Sequence, residues 1–184
     1  RIVDGPQRAE ILVNEQTFSG DWVFDSRYRS AEYQPLSSQH HYLAQHFVGW
    51  EIETPDPVFD PQTPWMFDFR TPQRGAMRFM YVLPFSERRA LVEYTLFSAD
   101  LLPQAEYEAA LRAYIGDVLG VRHYRILEEE RDLIPMTDHP FPRRAGKRVM
   151  NIGTRGGRVK ASSGYAFLRI QQDAAAIVRS LQKR

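Results

Sequence analysis

A chain of 184 residues, 43% hydrophobic and 26% charged, is long enough to bury a core as one domain or as one domain with pieces of a second. A formal net charge of +1, with basic residues scattered among acids, gives no basis for nucleic-acid binding, and the lack of cysteine excludes disulfides and thiol catalysis and fits a reducing cytoplasm. No apolar run approaches the roughly 20 residues of a spanning helix, while 12 prolines and 12% aromatics point to many turns and large, shaped pockets.

From the N-terminus, Ile2–Val3, Glu10–Asn14 and Trp22–Asp25 are short strand candidates separated by Asp4-Gly5-Pro6 and Ser19-Gly20-Asp21 turns, which reads as a β-meander. Residues 37–50 hold His40, His41 and His46, but no HExxH pair and no cysteine accompany them, so no metal site is expected. Glu51 and Glu53 alternate with Ile52 and read as a solvated face. Pro55 to Pro64 is a proline-rich loop. Next, Trp65 to Phe69 sets Asp68 among four large apolar residues. An unpaired Asp is rarely buried, so the residues by themselves read Asp68 as bridged to Arg70 or Arg78.

The stretch Phe79–Ser98 carries the strongest pattern. Two β-rich apolar runs, Phe79–Leu83 and Ala90–Phe97, flank a polar turn at Pro84–Arg89, as in an antiparallel hairpin with a longer loop. Alternation puts Leu91, Glu93, Thr95 and Phe97 on one face and Ala90, Val92, Tyr94 and Leu96 on the other. Glu93 then stands among apolar neighbours, where loss of water favours the protonated acid, the state a general acid needs near neutral pH. The competing reading pairs Glu93 with Arg88 or Arg89 at a sheet edge.

Pro103–Leu119 has the helical spacing Tyr107, Leu111, Tyr114, Val118, with Gly120 as a stop, and reads as a packing helix. Arg122–Glu128 is a strand candidate, Glu128–Asp132 a solvated charge run, and Leu133–Thr137 a short apolar segment. Between Val149 and Tyr165, Gly153, Gly156 and Gly157 let backbone approach a ligand closely. Ser162 or Ser163 is placed to cap a helix starting near Gly164, whose apolar face runs through Phe167, Ile170, Ala174, Ile177, Val178 and Leu181. A Gly-rich turn feeding a helix suits an anion. The spacing to Lys160 is not that of a P-loop.

MFDFR at 66–70, FMYVLPFS at 79–86, LVEYTLFS at 91–98, IPMT at 134–137 and IGTRGGRVKASSGYAF at 152–167 follow one another in order. Together they resemble the bacterial lycopene β-cyclases, flavoproteins of carotenoid synthesis, and the resemblance covers nearly the whole chain. The family's opening Gly-rich dinucleotide-binding turn and its ribose-binding acid have no counterpart here, so the chain is expected to correspond to the C-terminal part of a longer enzyme and to be inactive by itself.

The resemblance implies a mixed α/β fold: residues 1–36 as a partial FAD-domain meander and re-entry, 37–133 as the substrate domain, and 134–184 as a FAD-contacting loop with a C-terminal helix. It implies acid-initiated cyclisation of the ψ-ends of lycopene or a related linear carotene to β-ionone rings, without net redox change. Glu93 would handle the proton and Asp68 would be a second pocket carboxylate. Gly153, Gly156, Gly157, Lys160, Ser163 and Gly164 would contact reduced FAD, with NAD(P)H as reductant. Asp25, Ser26 and Arg27, at the end of the re-entry strand, either face that cofactor or simply end the strand. Arg155 stands where the family often has a small residue. The enzyme would sit in the cytoplasm, peripherally on the membrane surface. Two alternatives remain open at this stage: a related flavin-dependent isoprenoid reductase or hydroxylase, and a non-catalytic module that binds an apolar ligand.

Overall fold

The computed structural model describes residues 1–28 and 39–183. The chain divides into two compact units, Arg1–Tyr42 together with Pro135–Arg184, and Leu43–Ile134. The expected domain boundary at 36/37 lies outside the described residues. The architecture is mixed α/β, as the resemblance implies.

In the first unit, β1 (Ile2–Asp4), β2 (Ala9–Val13) and β3 (Gln16–Gly20) form an antiparallel sheet in the order β1-β2-β3. β3 is absent from the sequence reading. Its hairpin turns on Asn14 and Glu15, with φ of 46° and 66°; two successive positive φ values are those of a type I′ turn, and a Glu in place of the usual glycine hides it. β4 (Val23–Asp25) pairs in parallel with β10 (Val149–Asn151). Ala9, Val23 and Val149 form the unit's small core. The C-terminal helix α2 spans Phe167–Gln182. It begins after Ala166 with no side-chain cap, so the expected Ser162 or Ser163 cap near Gly164 is not formed.

The second unit is built on a five-stranded sheet in the order β6-β7-β8-β5-β9, with β5 at Tyr42–Glu53, β6 at Trp65–Asp68, β7 at Met77–Ser86, β8 at Arg89–Ser98 and β9 at Arg125–Thr137. The expected hairpin is β7–β8, and its loop is shorter than predicted. The strands run on to Ser86 and Arg89 with an irregularity between Pro84 and Ser86, leaving Glu87 and Arg88 as the turn. The helix α1 (Gln104–Ala113) starts after Pro103 and continues into a π-helical turn at Tyr114–Val118, ending before Gly120 at φ 70°.

This helix packs on one face of the sheet. Trp50, Ile52, Met80, Val82, Val92, Tyr94 and Leu96 meet Tyr107, Leu111, Tyr114 and Ile115 there. Each such side chain, taken fully out of water, contributes about 1.5–3 kcal/mol. The period-2 alternation of β8 therefore sends Ala90, Val92, Tyr94 and Leu96 into this core and turns Leu91, Glu93, Thr95 and Phe97 to the opposite face.

The charge run Glu128–Asp132 is exposed, as expected, and is also part of β9. This 13-residue strand takes in both the glutamates and the IPMT segment. Charged side chains are a common feature of edge strands, where they discourage pairing with another chain.

Candidate functional site

The opposite face of the five-stranded sheet holds the chemistry. Glu93 lies in register with Tyr81 on β7 and Gly49 on β5. It is 9% exposed. Thr95 Oγ1 donates to Glu93 Oε1 at 2.5 Å, and the Glu130 carboxyl group hydrogen-bonds it from β9. Burial pushes the Glu93 carboxyl up to about 7, with the Glu130 charge adding to the rise and the Thr95 hydroxyl opposing it. With burial and a second carboxyl beside it both disfavouring the ionised form, Glu93 holds its proton to near neutral pH.

Neither arginine of the competing reading, Arg88 or Arg89, forms an ion pair with Glu93 among the described residues, and Arg89 bonds Glu51 instead. Glu53, the other half of the expected solvated face, pairs with Arg125 at 2.7 Å.

Gly49 is the residue that makes room. A Cβ there would come within 3.0 Å of Glu130 Cγ and Oε1 and of Leu91 Cδ1. Neither Gly49 nor Glu130 was singled out from the sequence. Their signal exists only across strands, because β5 separates β8 from β9 in the sheet order.

Around the acid is an aromatic cluster. Phe67 lies 5.2 Å from Phe79 and 5.3 Å from Tyr81, centroid to centroid; Phe69 and Phe97 lie 5.8 and 5.6 Å from Phe79. Phe67 and Phe69 are each about half exposed, at 51% and 52%. Phe67 adopts φ 56°, a costly conformation for a bulky residue, at the point where β6 shifts register against β7. Desolvation, helped by the Glu93 charge, pushes the Tyr81 phenol up to about 12.

Asp68 does not join Glu93. It pairs with Met80, a residue of the helix-packed core, and so faces the other way. Arg70 NH2 donates to Asp68 Oδ2 at 2.6 Å, Arg70 Nε to both carboxylate oxygens at 3.0 Å, and Tyr114 OH to Oδ2 at 2.5 Å. The Arg70 guanidinium, aided by Tyr114, holds the carboxyl down at about 2. Of the two sequence alternatives for Asp68, the ion pair with Arg70 is the one formed. Asp68 is thus an ionised carboxylate on the face opposite Glu93. His46, also on the helix side, sits between Tyr107 OH at 2.5 Å and Ser98 Oγ at 2.7 Å, and burial lowers its pKa. Among the described residues no cluster of three or more His, Asp or Glu is arranged to hold a metal.

In the first unit, the Gly-rich loop is a chain of tight turns. Gly153, Gly157 and Gly164 have φ of 58°, 70° and 71°, a region that favours glycine. At Gly156 a Cβ would lie 2.5 Å from the Asn151 carbonyl oxygen. Gly156 and Gly157 line a groove of about 490 Å³ together with Arg158, Lys160, Ser162 and Arg169. Ser163, Gly153 and Gly164 shape the turns instead of lining it. The amides of Gly156, Gly157, Arg158, Lys160, Ser163 and Gly164 all donate to carbonyls within the loop. Those amides are therefore already taken, and the charged side chains that line the groove are Arg158, Lys160 and Arg169, with Asp138. Asp25 is held ionised by Arg27, whose Nε donates to it at 2.8 Å, with Arg155 Nε 3.3 Å away. Arg155 also donates to Asn151 Oδ1 and to the Arg27 carbonyl, so it ties β4 to the loop.

Comparison with known proteins follows the same lines. A family model described as lycopene cyclase protein matches residues 3–184. The chain is 25% identical over 186 residues to a chromoplastic capsanthin/capsorubin synthase of Citrus sinensis, covering 95% of this chain and 34% of that protein. It is 46% identical over 54 residues to a lycopene β-cyclase of a Paracoccus species, covering 29% of this chain and 14% of that one. It thus spans about a third of the length of the Citrus relative. Among solved structures, a geranylgeranyl bacteriochlorophyll reductase-like protein of Thermoplasma acidophilum shares the fold, with a TM-score of 0.61 at 12% identity over 92% of this chain and 44% of that one.

Proposed function

We propose that this chain, which belongs to the lycopene cyclase family, carries the proton-handling acid and the apolar floor of a carotenoid cyclase. One observation carries the reading: Glu93 is a buried carboxyl pushed up to about 7, in contact with a second carboxyl and set beside a partly exposed aromatic cluster. A linear carotene such as lycopene has no polar group to recognise, so its binding depends on buried apolar area. Phe67, Phe69, Tyr81 and Phe97 offer that area next to the acid.

Protonated Glu93 gives its proton to the terminal double bond of a ψ-end. The neighbouring double bond captures the resulting cation and closes the ring. A ring proton then leaves to a carboxylate of the Glu93–Glu130 pair. One proton is added and one removed, so the change is an isomerisation with no net redox. Aromatic faces stabilise a cation held over them by about 0.5–2 kcal/mol, and the Tyr81 phenol stays protonated throughout. Asp68 takes no part in the proton transfer; it anchors the β6 edge through Arg70 and Tyr114.

The glycine-walled groove with its cationic Arg158 and Lys160 fits the edge of an anionic planar ring, so Gly156, Gly157 and Lys160 would hold reduced FAD, with NAD(P)H as its reductant. Reduced FAD, once bound, would supply negative charge of the kind that favours a cationic transition state. No helix among the described residues is long and apolar enough to cross a membrane. A substrate this insoluble supports peripheral docking of the enzyme on the cytoplasmic face of a membrane.

The test is to express the full-length protein in lycopene-accumulating cells and separate the pigments by chromatography. β-Ring products are expected, and lycopene left unchanged by a folded protein overturns the reading. The fold shared with the reductase-like protein favours a second reading, a flavin-dependent isoprenoid reductase. That enzyme would have no need of Glu93, and its signature would be a saturated product with stoichiometric consumption of NAD(P)H.

A further inference from the structure

On the helix-covered side of the five-stranded sheet, away from Glu93, lies a cavity of about 450 Å³. Arg78 lines it and is only 7% exposed. Its NH1 donates to Tyr94 OH at 3.0 Å, while its Nε is buried with no hydrogen-bond partner. The backbone of Arg78 is fixed in place: its N–H donates to Gln73 Oε1 at 3.0 Å, and its carbonyl accepts from Gln73 Nε2 at 2.6 Å. The other two arginines of the cavity are answered locally. Arg70 is bound to Asp68, and Arg74 lies 3.9 Å from Glu106. Arg78 forms no ion pair among the described residues, and Asp117, which also lines the cavity, is not paired with it.

A guanidinium does not shed its proton in a protein. A neutral tyrosine hydroxyl leaves its buried charge uncompensated, and that costs far more than burying a paired one. The counter-charge that suits Arg78 is an oxyanion, because the planar Nε–H and NH groups present the fork that carboxylate and phosphate oxygens match. At about 450 Å³ the cavity has room for more than an inorganic anion, and Ala105, Ala109, Ala110 and Ala113 of the helix form part of its wall.

We propose that this cavity binds an anionic amphiphile, its oxyanion head on Arg78 and a short apolar body against the alanine wall of the helix. The site is separate from the carotene face, since Arg78 and Glu93 project from opposite sides of the sheet: Arg78 bonds Tyr94, a core residue of the helix side.

The test measures the melting temperature and the calorimetric binding of the purified protein with three probes: octyl phosphate below its micellar range, inorganic phosphate, and octanol. Octyl phosphate is expected to bind and raise the melting temperature, with phosphate weaker and octanol without effect. Arg78→Met should weaken octyl phosphate binding by about tenfold or more, the worth of a lost hydrogen bond to a charged group. Ala109→Leu, a helix-surface change that leaves the guanidinium in place, should weaken octyl phosphate and spare phosphate. It keeps the proposal testable if Arg78→Met does not fold. Absence of any response in the wild-type protein, or an undiminished response in Arg78→Met, overturns the site. Equal binding of phosphate and octyl phosphate overturns its amphiphilic half.

Discussion

The Glu130 side chain occupies the space that Gly49 leaves open: a Cβ on Gly49 would stand 3.0 Å from both Cγ and Oε1 of Glu130. Gly49 is also the cross-strand partner of Glu93. A missing side chain on β5 is thus what lets a carboxyl from β9 reach a carboxyl on β8. Gly49→Ala is expected to displace Glu130 without straining the backbone, because position 49 does not adopt the left-handed conformation that favours glycine. The Glu93 carboxyl should then titrate below 7 but stay above 4.5, since burial is the largest cause of its rise. Carboxyl-carbon NMR titration reads this directly. An unchanged midpoint would mean that Glu130 does not influence Glu93.

Glu130→Gln removes the neighbouring charge while keeping a hydrogen-bonding side chain. The Glu93 carboxyl should fall, and the alkaline limb of the activity profile should move to lower pH with it. Above the new midpoint each unit of fall leaves about tenfold less protonated acid. A purely structural Glu130 would change the overall rate and leave the limb in place.

The two carboxyls give opposite pH dependences of stability. Glu93 has its folded value raised from 4.5 to about 7, so the folded state binds the proton more tightly. Its contribution is fully present below 4.5 and is lost as pH rises through 7. Glu93→Gln removes that loss, so the variant should match or exceed the wild-type melting temperature at pH 8, by up to about 3 kcal/mol in stability. Asp68 has its folded value lowered from 3.8 to about 2, so its contribution is present above 3.8 and is lost as pH falls through 2. Melting curves of Glu93→Gln and Asp68→Asn across pH 2–9 separate the two; parallel curves would contradict both assignments.

Tyr114→Phe deletes the hydroxyl that donates to ionised Asp68 at 2.5 Å. Hydrogen bonds to charged groups are worth about 1.5–3 kcal/mol, and a loss of that size is expected by urea unfolding. The Glu93 titration should not move, because the two groups lie on opposite faces of the sheet. A shifted Glu93 midpoint would show that the faces are coupled.

Much of this was legible along single strands. The alternation in LVEYTLFS separates the face of Glu93 from the face of Tyr94, and the Tyr107–Leu111–Tyr114 spacing marks the helix that covers the latter. What stayed hidden depends on neighbours distant in sequence. Glu130 looked like one acid in a solvated run, because nothing local says that β9 lies beside β5 or that residue 49 would be open to it. Asp68 read equally well as a pocket acid or an ion-paired one. Only the pairing of β6 with β7 decides that it faces Tyr114 and not the aromatic cluster. The β2–β3 hairpin was missed because Asn14-Glu15 makes a type I′ turn without the glycine that usually announces it. In the 152–166 loop the glycine pattern does not say which glycines serve the turns, as Gly153, Gly157 and Gly164 do with their positive φ.

The most direct test of the central claim is the Glu93→Gln variant of the full-length protein in lycopene-accumulating cells, with pigments read by chromatography and the melting temperature measured alongside. Glutamine keeps the size and hydrogen bonding of the side chain and removes the acid. General acid–base groups contribute about 10² to 10⁴ in rate, so cyclised pigment should nearly vanish while the protein stays folded. Wild-type levels of β-ring product from Glu93→Gln would contradict the account and leave Glu93 a structural carboxyl.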